Sequence, residues 1–189
     1  MEVLFATSNK NKVAEAALAL GAFGVTVRHL PFEHREIRSE SLEEIAREAV
    51  SAAYAATERV GTPGRKPVFV EDSGLFIDAL NGFPGPYSAW VQSKLGNSGV
   101  LRLMEGVAGR AATFKACIAY HDGKTVRAFH GSCAGTIAKA PRGGSGFGYD
   151  PLFIPAGHLQ TFAENIELKN NLSHRYKSLL EFSRIFNPS

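Results

Sequence analysis

Hydrophobic residues along the chain recur with two different periods, which predict a mixture of strands and helices. A short apolar run at Val3–Ala6 predicts a buried strand. The residues after it recur at the spacing of one helix face: Val13, Ala16, Ala17 and Leu20. Ser8 or Asn9 is expected to cap this first helix. The next apolar segment, Val25–Val27, predicts a second strand.

A capping box marks the start of a second helix. Ser41 and Glu44 stand at the spacing at which the two side chains satisfy backbone N–H groups of the first turn. The apolar positions that follow predict a long helix ending near Gly61. The compact apolar run Pro67–Glu71 then predicts a third strand, of the kind found in the centre of a covered sheet.

The second half of the chain is predicted to hold one long hairpin. Asp122 and Gly123 lie between two apolar runs, a strong hairpin signal that joins predicted strands at Ala111–Tyr120 and Thr125–Ile137. The other segments expected here are a loop at Asn81–Pro86, helical pieces at Tyr87–Lys94 and Val100–Met104, a glycine-rich loop at Arg142–Gly148, and a last helix from about Ser173. A mixed α/β fold fits these segments best, and the glycine- and proline-rich loops are able to hinge two lobes.

Composition and charge narrow the functional classes. The 189 residues are 44% hydrophobic and 21% charged, which is enough for one globular domain with a substantial core. A net charge of +3 with scattered basic residues suits an anionic ligand but not a nucleic-acid-binding stripe. No apolar stretch approaches the roughly 18–20 residues of a membrane span, and the first residues do not resemble a signal region. We therefore expect a cytoplasmic protein in which Cys117 and Cys133 are small core residues.

A cluster of hydrogen-bond donors stands at the first predicted strand-to-helix junction. It contains two hydroxyls, two amides and two lysines: Thr7, Ser8, Asn9, Lys10, Asn11 and Lys12. The unpaired N–H groups and positive dipole end of a helix N-terminus make such a junction a ready anion site. The alternative is an ordinary capped helix with solvated lysines.

Two neighbouring acids, Glu71 and Asp72, stand at the expected end of the third strand, where ligands of open α/β sheets bind. Adjacent strand residues point to opposite faces, so we expect only one of the two to meet a ligand. Such a carboxylate suits Mg²⁺, and Glu36 or Glu40 from the preceding loop is able to complete the site. The alternatives are an acid that caps a turn and loop acids that are merely solvated.

Two later segments carry further candidates. The glycine-rich loop lets backbone approach a ligand closely, and Phe147 and Tyr149 either stack on a base or fill the core. At the start of the last helix, His174 and Arg175 oppose the helix dipole, which indicates a nearby anion or electron-rich ligand edge. Lys169 lies close to them in sequence.

Five segments, in this order and approximate spacing, resemble the inosine triphosphate pyrophosphatase family. They read Thr-Ser-Asn-x-x-Lys, Val-Glu-Asp-Ser-Gly-Leu, Gly-Phe-Pro-Gly-Pro-Tyr-Ser, Gly-Phe-Gly-Tyr-Asp-Pro and Lys-Asn-x-x-Ser-His-Arg. The resemblance extends from residue 3 to about residue 186. It implies an elongated mixed sheet with flanking helices, two lobes around a central nucleotide-binding cleft, and a homodimer. The implied reaction is hydrolysis of ITP, dITP and XTP to the monophosphate and pyrophosphate.

The resemblance also implies roles for individual residues. Thr7–Lys12 would hold the triphosphate, Asp72 would be the catalytic acid with Glu36 as its partner on Mg²⁺, and Ser73 would lie beside the substrate. The nucleoside would be enclosed by Phe147, Gly148, Tyr149, Asp150, Lys169, His174 and Arg175. Glu40 is the reserve metal ligand, and Arg47 stands near a position where many family members carry a lysine. Asp72 is left as metal ligand, proton acceptor or both. The alternative functions are a related pyrophosphatase for pyrimidine or modified nucleotides and a non-catalytic nucleotide- or RNA-binding module.

Overall fold

The computed structural model describes residues 1–34, 37–59 and 66–186, and these residues form seven β-strands and five α-helices. The elements are β1 (Glu2–Ala6), α1 (Lys10–Gly21), β2 (Thr26–Leu30), α2 (Leu42–Ala56), β3 (Val68–Ile77), β4 (Pro84–Gly85), α3 (Ser88–Leu103), β5 (Ala111–His121), β6 (Val126–Ile137), β7 (Phe153–Pro155), α4 (Ile166–Leu172) and α5 (His174–Ser183). Short 3₁₀ turns at Thr57–Arg59 and Asp78–Leu80 follow α2 and β3.

Within the described residues, the strands form one seven-stranded sheet. Its order is β2-β1-β3-β5-β6-β7, and β4 pairs with β3 off this path. The strand β1 is parallel to both β2 and β3, whereas the β3–β4 and β6–β7 pairs are antiparallel. The prediction of a mixed α/β fold with a mixed sheet and flanking helices is confirmed.

The chain divides into two compact units. The first unit contains the described residues of Met1–Asp72, Ala116–Gly131 and Arg175–Ser189, and the second contains Ser73–Lys115 and Ser132–His174. In the core of the first unit, Phe5 and Phe69 stack with ring centroids 4.2 Å apart. In the core of the second unit, Phe114 and Phe153 pack with ring centroids 4.6 Å apart. Each unit therefore buries its own aromatic cluster.

The third strand is longer than predicted. Its expected end at Glu71 is wrong, because β3 continues to Ile77. Val68 and Phe69 pair in parallel with β1, and Leu75 and Phe76 pair in antiparallel fashion with β4. A side chain at Gly74 would run into the carbonyl of Gly85, so the glycine permits this close approach of backbones.

Other predicted elements are found with adjusted limits. The expected end of the second helix near Gly61 lies outside the described residues, and α2 itself ends at Ala56. The loop at Asn81–Pro86 contains the short strand β4. The two predicted helical pieces form α3, which is interrupted by a non-helical Gly96 with φ 60°. The sequence reading missed α4, which directly precedes the final helix.

The predicted hairpin and core cysteines are confirmed. The strands β5 and β6 are neighbours in the sheet, and the Asp122 carboxylate accepts N–H groups of Lys124 and Thr125 at 2.8 Å in the turn between them. Cys117 and Cys133 are buried. Among the helices of the described residues, none has the length and apolar character needed to cross a membrane.

Candidate active site

The strand-to-helix junction at Thr7–Lys12 is organised by an N-cap. Between the end of β1 and the start of α1, Asn9 Oδ1 accepts the N–H groups of Asn11 at 2.9 Å and Lys12 at 3.4 Å. Thr7 Oγ1 accepts the N–H of Asn9 at 3.1 Å. The cap is therefore Asn9 rather than Ser8, and side-chain oxygens of the segment occupy three of its backbone donors.

The two lysines of this junction lie in different environments. Lys10 is exposed, as expected of a solvated lysine. The Lys12 ammonium instead lies 2.9 Å from the Glu71 backbone oxygen and 3.0 Å from Glu71 Oε2. The Glu71 side chain is only 1% exposed. Lys12 is thus fixed to β3 next to Asp72, in the first turn of α1.

Arg175 joins the same cluster from the first residues of α5. Its Nε and Nη2 atoms each donate to the Glu71 carboxylate at 3.3 Å, and Nη1 donates to Glu15 Oε2 at 2.7 Å. Burial by itself lowers the pKa of Arg175, but the two carboxylates raise this pKa by more, so the guanidinium stays charged. The anion that the sequence indicated near this helix start is supplied, at least in part, by the chain itself. Recognition of a purine by Arg175 stays a prediction.

The burial of the β3 side chains changes at the predicted catalytic residue. Glu71 is buried, whereas Asp72 and Ser73 are each partly exposed. The expectation that only one of the two acids meets a ligand stays a prediction. Glu36, the predicted second metal ligand, lies outside the described residues, and its reserve Glu40 is exposed.

In the second unit, Asp150 organises the glycine-rich loop. Its Oδ2 atom accepts the N–H of Phe147 at 2.7 Å and lies 2.5 Å from the Lys169 ammonium. Lys169 Nζ also lies 4.2 Å from the centroid of the Phe147 ring. A side chain at Gly146, where φ is 75°, would collide with the Asp150 carboxylate. The predicted residues Phe147, Asp150 and Lys169 are therefore brought together as one cluster.

The neighbouring residues Gly148 and Tyr149 are held by α3. Tyr149 is buried in the core, and its hydroxyl donates to the Ser88 backbone oxygen at 3.0 Å. The Gly148 carbonyl accepts from Gln92 Nε2 and Asn97 Nδ2, both at 3.2 Å. The surroundings of Tyr149 are thus those of an aromatic side chain that fills the core, which was the second of the two expectations for it.

Sequence reasoning gave no role to Ser88, Gln92 or Asn97. Ser88 closes the segment Gly-Phe-Pro-Gly-Pro-Tyr-Ser, and its hydroxyl accepts the Leu75 N–H at 2.8 Å and donates to the Gly85 carbonyl at 2.7 Å. That motif was the available signal for Ser88. The sequence carried no such signal for Gln92 and Asn97, because polar residues on a helix are usually solvated.

His174 begins α5 and belongs to the second unit. It is buried, and its ring stacks on Phe114 with centroids 4.5 Å apart and an interplanar angle of 10°. Ser173 stands directly before it, between α4 and α5. His174 therefore contacts an aromatic side chain of the second unit, to which it belongs. The next residue, Arg175, belongs to the first unit and contacts two carboxylates there.

Comparison with known proteins identifies the relationship behind these features. The Ham1 family model matches residues 3–185. The chain belongs to the Ham1 family. The dITP/XTP pyrophosphatase of Methanopyrus kandleri is 50% identical over 97% of this chain and 95% of its own length. The dITP/XTP pyrophosphatase of Thermococcus kodakarensis is 45% identical over 97% of this chain and 96% of its own.

Solved structures of other Ham1 proteins have the same fold. The Staphylococcus aureus Ham1 protein superposes with a TM-score of 0.82 at 27% identity, covering 100% of this chain and 99% of that one. A HAM1 protein from Coxiella burnetii gives a TM-score of 0.81 at 30% identity, with 100% of both chains covered. The resemblance inferred from five short motifs is thus confirmed for this Ham1 family chain as a whole.

Proposed function

We propose that this Ham1 family chain hydrolyses non-standard purine nucleoside triphosphates, namely ITP, dITP and XTP, to the monophosphate and pyrophosphate. The observation that carries the proposal lies in the first unit. The Lys12 ammonium and the N-terminus of α1 stand beside Glu71, the residue next to Asp72. The proposed phosphate-binding cation, Lys12, is therefore held by the residue that directly precedes the proposed catalytic carboxylate. The names of the related pyrophosphatases support the same reaction.

In the proposed reaction, a water molecule attacks the α-phosphorus while the bond to the bridging oxygen of the β-phosphate breaks. The water proton passes to the Asp72 carboxylate, and pyrophosphate leaves with its charge offset by Lys12. Thr7, Ser8 and Lys10 supply further donors to the phosphate groups. The water oxygen ends on the monophosphate, the bridging oxygen leaves with pyrophosphate, and the proton taken by Asp72 is released to solvent, which restores the carboxylate.

The carboxylates of this chain suit Mg²⁺. Among the described residues, no group of three or more His, Cys, Asp and Glu side chains is arranged to hold a metal ion. Mg²⁺ needs no such cage, because it binds through one or two carboxylates and completes its shell with waters and substrate phosphates. Asp72 and Glu36 would hold the ion, with Glu40 as the reserve ligand. When bound, Mg²⁺ supplies Lewis-acid stabilisation of the phosphate charge.

Selection of the base is proposed to depend on the 6-position of the purine. Phe147, Asp150, Lys169 and His174 surround the nucleoside, and Arg175 donates to a 6-keto oxygen. The 6-amino group of adenine would face this donor with another donor, and such mismatches discriminate strongly when buried.

We further propose that the protein is a cytoplasmic homodimer. Three large apolar side chains at and before the start of α3 are exposed to 39%, 44% and 64%: Phe83, Tyr87 and Trp90. A neighbouring group of exposed apolar side chains is typical of interaction surfaces. Light scattering of the purified protein should give twice the mass of the chain, and a monomeric mass would contradict the proposal.

A pyrophosphate-release assay over ITP, dITP, XTP, GTP, ATP and dTTP, with and without Mg²⁺, tests the reaction. We expect Mg²⁺-dependent release from ITP, dITP and XTP. Asp72→Asn should lower kcat by about 10²–10⁴-fold, the range for loss of a positioned acid or base. Asp78→Asn, at an exposed acid just beyond the end of β3, is the matched control. Equal turnover of ATP and ITP, or near-normal turnover by Asp72→Asn, would sink the proposal.

A further inference from the structure

Glu71 is a buried carboxylate that contacts cations from two helices. Lys12 comes from the first turn of α1 and Arg175 from the first turn of α5. Arg175 donates to both Glu71 oxygens, each at 3.3 Å. A guanidinium that reaches both oxygens of a carboxylate already compensates much of its charge. Lys12 is therefore not required merely to neutralise Glu71.

The contacts of Lys12 fix the position and orientation of its ammonium group. Its ammonium bonds to two oxygens of one residue, the Glu71 carbonyl at 2.9 Å and Oε2 at 3.0 Å. An ammonium has three N–H donors, and these contacts use two of them. Its side chain is 16% exposed, in contrast to 1% for Glu71. A flexible lysine stem that is otherwise free in several rotamers is thus held in one place.

Net charge alone does not make this cluster attractive to an anion. The cations Lys12 and Arg175 face the carboxylates Glu71 and Glu15, so the four charges sum to zero. These four groups therefore give Lys12 no net charge with which to attract phosphate, whereas its placement at the start of α1 does favour an anion, because the helix dipole favours negative charge there.

We propose that Glu71 is a positioning residue, whose carbonyl and carboxylate hold the Lys12 ammonium at the N-terminus of α1 in the orientation that receives phosphate groups. The inference rests on the proposed function in taking the anion to be the triphosphate of the substrate. Preorganisation of this kind strengthens binding because the ordering of the lysine does not have to occur on association.

Two substitutions separate positioning from charge. Glu71→Gln removes a negative charge, which by electrostatics alone would strengthen binding of an anion. Positioning predicts the opposite: calorimetry should show inorganic tripolyphosphate binding about ten-fold more weakly, the scale of one lost charge-assisted hydrogen bond. Glu71→Asp keeps the charge but withdraws the carboxylate by one methylene, and it should weaken binding as well. Circular dichroism establishes which variants are folded.

A matched control and a second background complete the test. Glu15→Gln removes a carboxylate from the same cluster without touching the two bonds that hold Lys12, so it should not weaken tripolyphosphate binding. In a Lys12→Met background, Glu71→Gln should have no further effect on the Kd. Unchanged or tighter binding by a folded Glu71 variant overturns the proposal, as does an equal loss in both backgrounds.

The outcomes for the wild-type protein distinguish this inference from the proposed function. Coupled binding without any release of pyrophosphate from nucleotides would refute the proposed function and support the positioning role. Release of pyrophosphate by a protein that shows no coupling between Glu71 and Lys12 would refute the positioning role alone. A wild-type protein that binds no tripolyphosphate would also refute the positioning role.

Discussion

Lys169 and Asp150 form an ion pair that is almost completely removed from water, so substitution of one partner should destabilise the second unit. Their side chains are 2% and 4% exposed, and Nζ and Oδ2 lie 2.5 Å apart. Lys169→Met would remove the ammonium group from beside the buried Asp150 carboxylate. Breaking such a pair from one side costs about 3–5 kcal/mol, several times the value of an exposed ion pair.

The cost should be visible in thermal and urea unfolding followed by circular dichroism. For a chain of this length, each kcal/mol lowers Tm by about 2–4 °C, so Lys169→Met should lower Tm by about 6–20 °C. Adding Asp150→Asn removes the negative charge of the buried carboxylate, while the amide oxygen of the new side chain is still able to accept the Phe147 N–H. The double variant should therefore recover most of the loss.

The same substitution at an exposed lysine gives the comparison. Lys139 lies in the second unit and is exposed, so Lys139→Met should change the free energy of unfolding by less than about 0.5 kcal/mol. A loss below about 1 kcal/mol for Lys169→Met, or losses that simply add in the double variant, would refute the argument that this pair is dry and mutually dependent.

Three other predictions follow from single contacts. Tyr149→Phe should cost about 1 kcal/mol, because it removes the hydrogen bond to the Ser88 carbonyl. Burial raises the pKa of Tyr149 to about 12. The contribution of Tyr149 to the free energy of unfolding is therefore present below pH 10 and lost as pH rises through 12, and Tyr149→Phe should lack this loss. Backbone hydrogen bonds lower the pKa of Asp122 to about 2, so its share is present above about pH 4 and lost as pH falls through 2; Asp122→Ala should lack that acid-dependent loss. Gly74→Ala should destabilise the fold, because the added methyl group meets the Gly85 carbonyl.

Unfolding curves across pH check the two titrations, with Asp122→Asn as the isosteric control. If Tyr149→Phe loses as much stability at alkaline pH as the wild-type protein, Tyr149 is not the group responsible. If Asp122→Ala loses as much stability at acid pH as the wild-type protein, Asp122 is not the group responsible. For Gly74, the control is Gly144→Ala, where a Cβ atom would meet nothing within 4 Å. Equal stability of Gly74→Ala and Gly144→Ala would refute the steric argument.

Local patterns in the sequence determined the features whose physics is local. The apolar run of β1, the Asn9 cap of α1 and the turn at Asp122 each depend on residues only a few positions apart. The capping box at Ser41 illustrates the limit of this reasoning. Ser41 Oγ accepts the Glu44 N–H as predicted, but the Glu44 carboxylate accepts from Ser39 Oγ, which in turn accepts the Ser41 N–H.

Tertiary structure alone decided the partners of the charged residues and the length of β3. Glu71 and Arg175 are separated by 104 positions, so no periodicity in the sequence connects them. The sequence showed that positive charge at the start of α5 needs an anion, because the helix dipole acts locally. The fold decides which anion this is. It buries the Glu71 carboxylate, and a buried carboxylate without a cation would be costly, so Glu71 and Arg175 pair. Likewise, the part of β3 beyond Glu71 pairs with β4, and a local sequence pattern does not reveal such a pairing partner.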